Sequence, residues 1–97
     1  MKADNYEAIN VLNIIKGFHR EELRYRLNPY RFHRKNGQVF RVKKIRQHHT
    51  ENRSGSKQFH YMVETNGDYF CRLLFDSITF SWRLVEISKG GVVMNEK

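Results

Sequence analysis

The apolar side chains of residues 59–63 and 69–75 recur at every second position, and this period of two most constrains the fold. Such a period places alternate side chains on opposite faces of a β-strand. The turn signal Asn66-Gly67 separates the two segments, and an odd-length loop with Gly67 in the left-handed conformation puts both apolar sets on one face, whereas a two-residue loop would mix the faces. We therefore predict a β-hairpin with one buried face. That face comprises Phe59, Tyr61, Val63, Tyr69, Cys71 and Leu73.

The same alternation predicts two earlier strands. Residues 30–34 alternate aromatic and basic side chains, and residues 40–43 do so again after the turn signal Asn36-Gly37. An odd-length loop at this turn aligns the apolar residues of both strands on the buried face. The pattern becomes irregular at residues 44–46, which we interpret as a β-bulge that returns the isoleucine to the core. A polar loop is expected over residues 50–57.

A fifth strand is predicted after the dipeptide Asp76-Ser77. A two-residue loop there pairs Phe75 with Ile78 and Cys71 with Trp82, which keeps the apolar residues of both strands together. Because the apolar set is large, we interpret it as a hydrophobic core and not as a cofactor site. In the predicted sheet this core comprises Tyr30, Phe32, Phe40, Val42, Phe59, Tyr61, Val63, Tyr69, Cys71, Leu73, Phe75, Ile78, Phe80, Trp82 and Leu84.

The N-terminal segment has the pattern of an amphipathic helix. Asp4 and Glu7 have the spacing of a capping box, and the residues that follow at helical spacing are Ala8, Val11, Leu12, Ile15 and Phe18. Gly17 is a point at which the helix can break, and Asn28-Pro29 ends it. We therefore predict an α+β fold, with this helix packed on a five-stranded antiparallel β-meander. A sheet curled into a half-barrel is the alternative.

Length and composition favour a single domain spanning residues 1–97, in which residues 88–97 are expected to form a flexible tail. Residues 1–17 lack the unbroken apolar run of a signal peptide, and no stretch is long enough to span a membrane, so we expect a cytoplasmic protein without membrane contacts. Cys71 is the single cysteine. Disulfide scaffolds and cysteine-based zinc frameworks are therefore excluded.

The net charge of +8 is unevenly distributed along the chain. Residues 16–57 contain thirteen lysines and arginines against three glutamates, a net charge of +10, so that the rest of the chain carries −2. Four of the five histidines, at positions 19, 33, 48 and 49, fall in the same segment. A strongly basic segment favours an acidic partner, and nucleic acid is the leading one.

The outward face of the predicted sheet carries spaced basic residues and an aromatic ring. Such a face can contact phosphates while a base stacks on the ring, as in proteins that bind single strands. We predict that it binds nucleic acid, with single-stranded RNA or DNA favoured, through Arg31, Arg41, Lys43, Phe70, Arg72 and Arg83. The helix and the first turn are expected to add Arg20, Arg24, Arg34 and Lys35. The competing interpretation is an ordinary solvated sheet face, on which lysine and arginine are common.

The other polar residues predict neither catalysis nor a cofactor. His48 and His49 point to opposite faces of a strand, so outside a loop they cannot hold one metal ion together with His60, and no metal site is expected. No two carboxylates share a strand face at short spacing, and we therefore predict a protein that is not an enzyme.

Two further expectations concern protein partners. The alternative function is a protein-interaction module, an adaptor or an inhibitor, that docks on an acidic protein surface. A last strand over residues 78–87 would also allow a homodimer if one of its edges is free.

Overall fold

A computed structural model describes residues 6–15 and 27–89, and these residues form an all-β closed barrel. Neighbouring strands pair antiparallel in chain order, and the first strand pairs with the last. No helix occurs within the described residues, so the predicted α+β fold of a helix on a five-stranded meander is wrong, and the half-barrel alternative falls short of the observed closure. The six strands are β1 (Glu7–Ile15), β2 (Leu27–His33), β3 (Val39–Arg53), β4 (Ser56–Thr65), β5 (Tyr69–Asp76) and β6 (Ser81–Lys89).

The first part of the predicted helix is strand β1. Its side chains alternate, with Ile9 buried and Val11 partly buried while Asn10 and Leu12 are exposed. Asparagine and β-branched residues are poor helix formers, and here the strand also supplies the pairs that close the barrel between β6 and β2. Tertiary pairing therefore outweighs the apparent helical spacing. Residues 16–26, which include the predicted break at Gly17, lie outside the described residues.

The hairpin of β4 and β5 confirms the predicted register. Phe59 lies opposite Phe75 and Val63 opposite Cys71, with all four side chains buried. The connecting loop has three residues, 66–68, and Gly67 has a φ of 77°. This odd-length loop keeps the two apolar sets on the inner face, as expected.

The turn between β2 and β3 also has an odd length, and it places Phe32 opposite Phe40 with stacked rings whose centroids are 5.1 Å apart. Tyr30, however, is 46% exposed and does not belong to the core as predicted. Leu12 pairs with Arg31 while the next residue of β1 pairs with Pro29, so Tyr30 is the extra residue of a β-bulge. The bulge reverses the phase of the alternation and turns this ring outward.

Strand β3 contains two register shifts, one between Val42 and Lys44 and one between Ile45 and Gln47, so the predicted bulge at residues 44–46 is confirmed. The predicted loop over residues 50–57 is wrong. Strands β3 and β4 continue to pair through residues 50–57, around a two-residue turn whose members both have positive φ, Ser54 at 50° and Gly55 at 82°. Such a turn matches the twist of a hairpin.

The connection from β5 to β6 is longer than predicted. Four residues, 77–80, form the turn, so that Phe75 pairs with Trp82 and not with Ile78. The Asp76 carboxylate accepts hydrogen bonds from the backbone N–H groups of Ile78 and Thr79, at 2.8 and 3.2 Å, and these bonds hold the wider turn. Ile78 and Phe80, expected in the core, are therefore 67% and 77% exposed.

The barrel interior is filled by side chains from all six strands, and the Tyr61 hydroxyl donates a buried hydrogen bond of 2.8 Å to the Leu27 carbonyl across the interior. Strand β6 runs to Lys89, and the rest of the predicted tail, residues 90–97, lies outside the described residues. Within the described residues, no helix is long and apolar enough to cross a membrane. The buried core comprises Ile9, Leu27, Phe32, Phe40, Phe59, Tyr61, Val63, Cys71, Leu73, Phe75, Trp82 and Leu84.

Candidate nucleic-acid interface

The closed barrel divides the predicted binding residues between two of its sides. Arg31 lies on β2, and Arg41 and Lys43 lie on β3, whereas Phe70 and Arg72 lie on β5. Strands β2 and β5 are three strands apart in either direction around a six-stranded barrel, so their outer faces point away from each other. Arg83, on β6, lies beside β5 and not beside β2. The six residues predicted on the sheet therefore do not share one surface.

Arg31 and Arg41 lie directly opposite each other on the outer face of β2 and β3. Like charges at directly opposed positions destabilise an antiparallel pair. No carboxylate among the described residues lies within ion-pair distance of either guanidinium, and the buried Nε of Arg31 has no hydrogen-bond partner. Among the described residues, this opposed pair of cations therefore has no compensating carboxylate.

Beside this pair, β2 and β3 separate and leave an open groove. The two strands pair only over residues 31–33 and 39–41, because the bulges at Tyr30 and after Val42 turn them apart. The groove has a volume of about 370 Å³, and the exposed residues Lys43 and Lys44 contribute to its lining. Its lining residues are Ile14, Asn28, Pro29, Tyr30, Val42, Lys43, Lys44 and Ile45.

Sequence reasoning missed two contributors to this region, Tyr30 and Lys44. Tyr30 was assigned to the core because it continues the alternation of β2, and Lys44 was assigned to a bulge without a role. Pro29 was the available signal, since a proline within a strand marks an edge or a bulge. A bulge after Pro29 would have placed the tyrosine ring outside, as the structure does.

Arg46 of β3 and Arg72 of β5 are paired with carboxylates on neighbouring strands. Arg46 lies 2.6 Å from Glu64, and Arg72 lies 3.6 Å from Glu86. The Arg46 guanidinium also lies over the ring of Phe70, 5.9 Å from its centroid. One face of the ring predicted to stack on a base is therefore covered by an arginine of the chain itself.

Arg83 lines a separate depression of about 440 Å³ that lies over β4, β5 and β6 and is bounded by the tip of the β3–β4 hairpin. Its floor is Leu74, which faces outward from the sheet and is nevertheless only 7% exposed. Leu74 pairs with His60 on one side and with Arg83 on the other. Burial of Leu74 explains why an apolar residue is tolerated on this outer face.

Arg34 and Lys35 lie in the turn between β2 and β3. The Arg34 guanidinium donates hydrogen bonds from Nη2 at 2.8 Å and from Nε at 3.2 Å to the Glu7 carboxylate. These bonds hold the pKa of Glu7 below its ordinary value, and they tie the turn to β1. Lys35 is exposed, and Arg20 and Arg24 lie outside the described residues.

Three polar side chains meet on the outer face of the β3–β4 hairpin. His49 lies opposite His60, with nearly parallel rings whose centroids are 4.5 Å apart, and His60 Nε2 is 2.9 Å from Glu51 Oε1. Burial lowers the pKa of His60, and the charge of His49 lowers it further, while the bond to Glu51 acts in the opposite direction. His48 faces the other side of the strand, toward Tyr61, as the alternation predicted.

Cys71 is fully buried between β4 and β6. Burial raises the pKa of its thiol to about 12, and the charge of Arg34 offsets only part of that rise. A thiol that stays protonated and out of solvent contact is a poor nucleophile. Its role is to fill space in the core.

Comparison of the chain with protein-family models, with curated proteins and with solved structures finds no match in any of the three.

Proposed function

We propose that this protein binds single-stranded nucleic acid, RNA or DNA, through the outer surface of β2 and the first part of β3. We call this surface the β2–β3 face and define it by Tyr30, Arg31, Arg41, Lys43 and Lys44. The observation that carries the proposal is the opposed pair of Arg31 and Arg41 without a carboxylate partner among the described residues. A phosphate between the two guanidinium groups would turn their repulsion into two charge-assisted interactions.

The groove next to this pair suits a base. Tyr30 is half exposed at its wall, and Pro29, Val42 and Ile45 supply apolar lining. Stacking on an exposed aromatic ring tolerates any base, and cations along the strand contact phosphates without reading sequence. Lys43, at the rim, would contact the next phosphate. We therefore propose recognition of the backbone and of unpaired bases, without sequence specificity.

The same proposal includes two statements about the class of protein. We propose a binding protein and not an enzyme, since the buried thiol of Cys71 is a poor nucleophile and the β2–β3 face carries cations without a carboxylate that could act as a general base. We also propose that it acts in the cytoplasm, because its single cysteine is a buried thiol and suits a reducing compartment.

Fluorescence anisotropy of the full chain with labelled single-stranded RNA, single-stranded DNA and duplex DNA tests the proposal. We expect single strands to bind more tightly than duplex, and the affinity to fall steeply between about 50 and about 200 mM salt. Arg31→Ala and Arg41→Ala should each weaken binding and reduce the slope of log K against log salt by about one unit. Tyr30→Ala should cost about 1–3 kcal/mol with single strands and much less with duplex.

Arg72→Ala and Arg83→Ala are the matched controls, because they remove the same side chain from the other side of the barrel. Equal losses from both pairs of variants would contradict the assignment to the β2–β3 face. Absence of binding at low salt would contradict the function itself. An acidic protein that is captured by the chain after nuclease treatment, and is released by Arg31→Ala, would instead favour the protein-interaction alternative.

A further inference from the structure

The β3–β4 hairpin brings two histidines and a glutamate together on one outer surface. His49 and His60 are directly opposed in the antiparallel ladder, and Glu51 lies two residues beyond His49 on the same face of β3. The period of two thus aligns a carboxylate and an imidazole on one strand with an imidazole on the next. This surface is independent of the β2–β3 face.

The donor atoms of these three residues converge. One ligand atom from each lies within 4.8 Å of the others, and the shortest distance is the 2.9 Å between His60 Nε2 and Glu51 Oε1. The rings of His49 and His60 stack 5° from parallel, which keeps the two imidazoles close together. We propose that His49, Glu51 and His60 form a binding site for a divalent first-row transition-metal ion such as Zn²⁺.

The ligand set selects the class of ion. Two imidazole nitrogens and one carboxylate oxygen suit zinc and its neighbours, whereas Ca²⁺ and Mg²⁺ require oxygen ligands. Bonds of about 2.0–2.2 Å in a tetrahedral arrangement separate the donor atoms by roughly 3.3 Å. His60 Nε2 and Glu51 Oε1, now 2.9 Å apart, would have to separate by a few tenths of an ångström to share an ion. His49 and Glu51 are exposed side chains, and a small rotation of the His49 ring closes the site. Water supplies the fourth position.

Arg72 on β5 lies beside His49 and His60, and its charge acts on His60. Arg72 is paired with Glu86 at 3.6 Å, and this carboxylate partly compensates the charge of Arg72. Together with the open fourth position, this cation makes the site weaker than a structural zinc centre with four protein ligands. The ion would be exchangeable, and the barrel does not depend on it for folding.

Isothermal titration calorimetry of the untagged full chain with ZnCl₂ tests the site. We expect saturable binding of one ion per chain. His49→Ala should weaken this binding at least about 10-fold, and Glu51→Gln should weaken it less, since one oxygen is retained. His33→Ala is the matched control, because His33 is an exposed strand histidine away from the cluster, and it should leave binding unchanged.

Histidine side-chain NMR gives a second measurement that does not depend on folding of a variant. Zn²⁺ should shift the ring resonances of His49 and His60 in the wild-type protein and leave those of His33 in place. Three results would overturn the proposal: no saturable heat with Zn²⁺, undiminished binding by His49→Ala, or shifts at His33 that equal those at His49. His60→Ala also removes a half-buried ring, so thermal unfolding of that variant is measured first.

Discussion

The two sides of the barrel differ in how many of their strand residues pair and in how many of their arginines have a carboxylate partner. Strands β4 and β5 pair without a break through eight residue pairs; Arg72 of β5 lies beside Glu86, and Glu64 of β4 is paired with Arg46 of β3. Strands β2 and β3 pair through only three residue pairs, and their outer face holds opposed arginines without a carboxylate partner among the described residues. The sheet is therefore continuously paired at β4 and β5. At β2 and β3 it exposes Arg41, the ring of Tyr30 and a groove.

This difference separates the side that we expect to contribute most to stability from the side that we propose to bind nucleic acid. Long ladders and ion pairs stabilise the side that contains the buried hairpin, and the core behind it is continuous across all strands. We expect a smaller contribution from the side that has the bulges and, among the described residues, arginines without a carboxylate partner.

Leu73→Ala should cause the largest loss of stability. Leu73 is fully buried on the inner face of β5, opposite Tyr61 and Leu84. A cavity in such a core costs about 2–5 kcal/mol of unfolding free energy, which urea denaturation would measure. Ile78→Ala is the control, because the exposed Ile78 should tolerate the same truncation with a change below about 0.5 kcal/mol. Equal losses from both variants would contradict the four-residue turn.

Tyr61→Phe should cause the next largest loss of unfolding free energy, because Tyr61 on β4 forms a hydrogen bond with β2 across the interior. The Tyr61 hydroxyl donates 2.8 Å to the buried carbonyl of Leu27 at the start of β2, and the variant removes only this oxygen. Loss of a buried hydrogen bond that leaves its acceptor without that donor costs about 1–3 kcal/mol. In this variant, the rate of amide hydrogen exchange should increase more in β2 than in β5. An unchanged unfolding free energy would show that this bond does not support β2.

Acid should weaken the turn between β5 and β6 through Asp76. Burial raises the pKa of Asp76, but hydrogen bonds from Thr79, Ile78, Ser56 and Gln58 outweigh it and lower the pKa below its ordinary value. A group with a depressed pKa in the folded state stabilises the protein above its unfolded pKa, and this contribution is lost as the pH falls through the folded pKa.

Asp76→Asn should therefore be less stable than the wild type at neutral pH, and the difference should shrink below about pH 4, as urea denaturation at several pH values would show. A difference that is constant over this range would assign the effect of the substitution to packing and not to the charge of the carboxylate.

The smallest effects provide the sharpest comparison of the two sides. Arg41→Gln relieves the repulsion with Arg31 and should raise the unfolding free energy by a few tenths of a kcal/mol, whereas Arg72→Gln removes the ion pair with Glu86 and should lower it by about 0.2–0.5 kcal/mol. Both effects should decrease in high salt. Effects of the same sign would contradict the division between a paired and an unpaired side.

The sequence predicted the parts of the molecule that depend on local alternation. The register of β4 and β5, the odd-length turn before β3, the bulge near Lys44 and most of the core follow from a period of two and from Gly67. The candidate binding face was recovered only in part. The sequence predicted Arg31, Arg41 and Lys43 in one site, but it added Arg72 and Arg83 from the far side of the barrel. The outward residues of a flat sheet share one face, whereas those of a closed barrel point in different directions.

What the sequence determined by itself was the alternating apolar pattern, which makes a buried sheet face unavoidable, and the concentration of positive charge in residues 16–57. The tertiary structure decided the rest. Residues 7–15 form a strand because they pair with both edges of the sheet, β2 and β6, and so close the barrel. Tyr30 faces outward because a bulge reverses the phase of the alternation in β2. The physical reason is that local spacing specifies which side chains share a face, whereas closure and strand register, set by the whole chain, specify which faces meet.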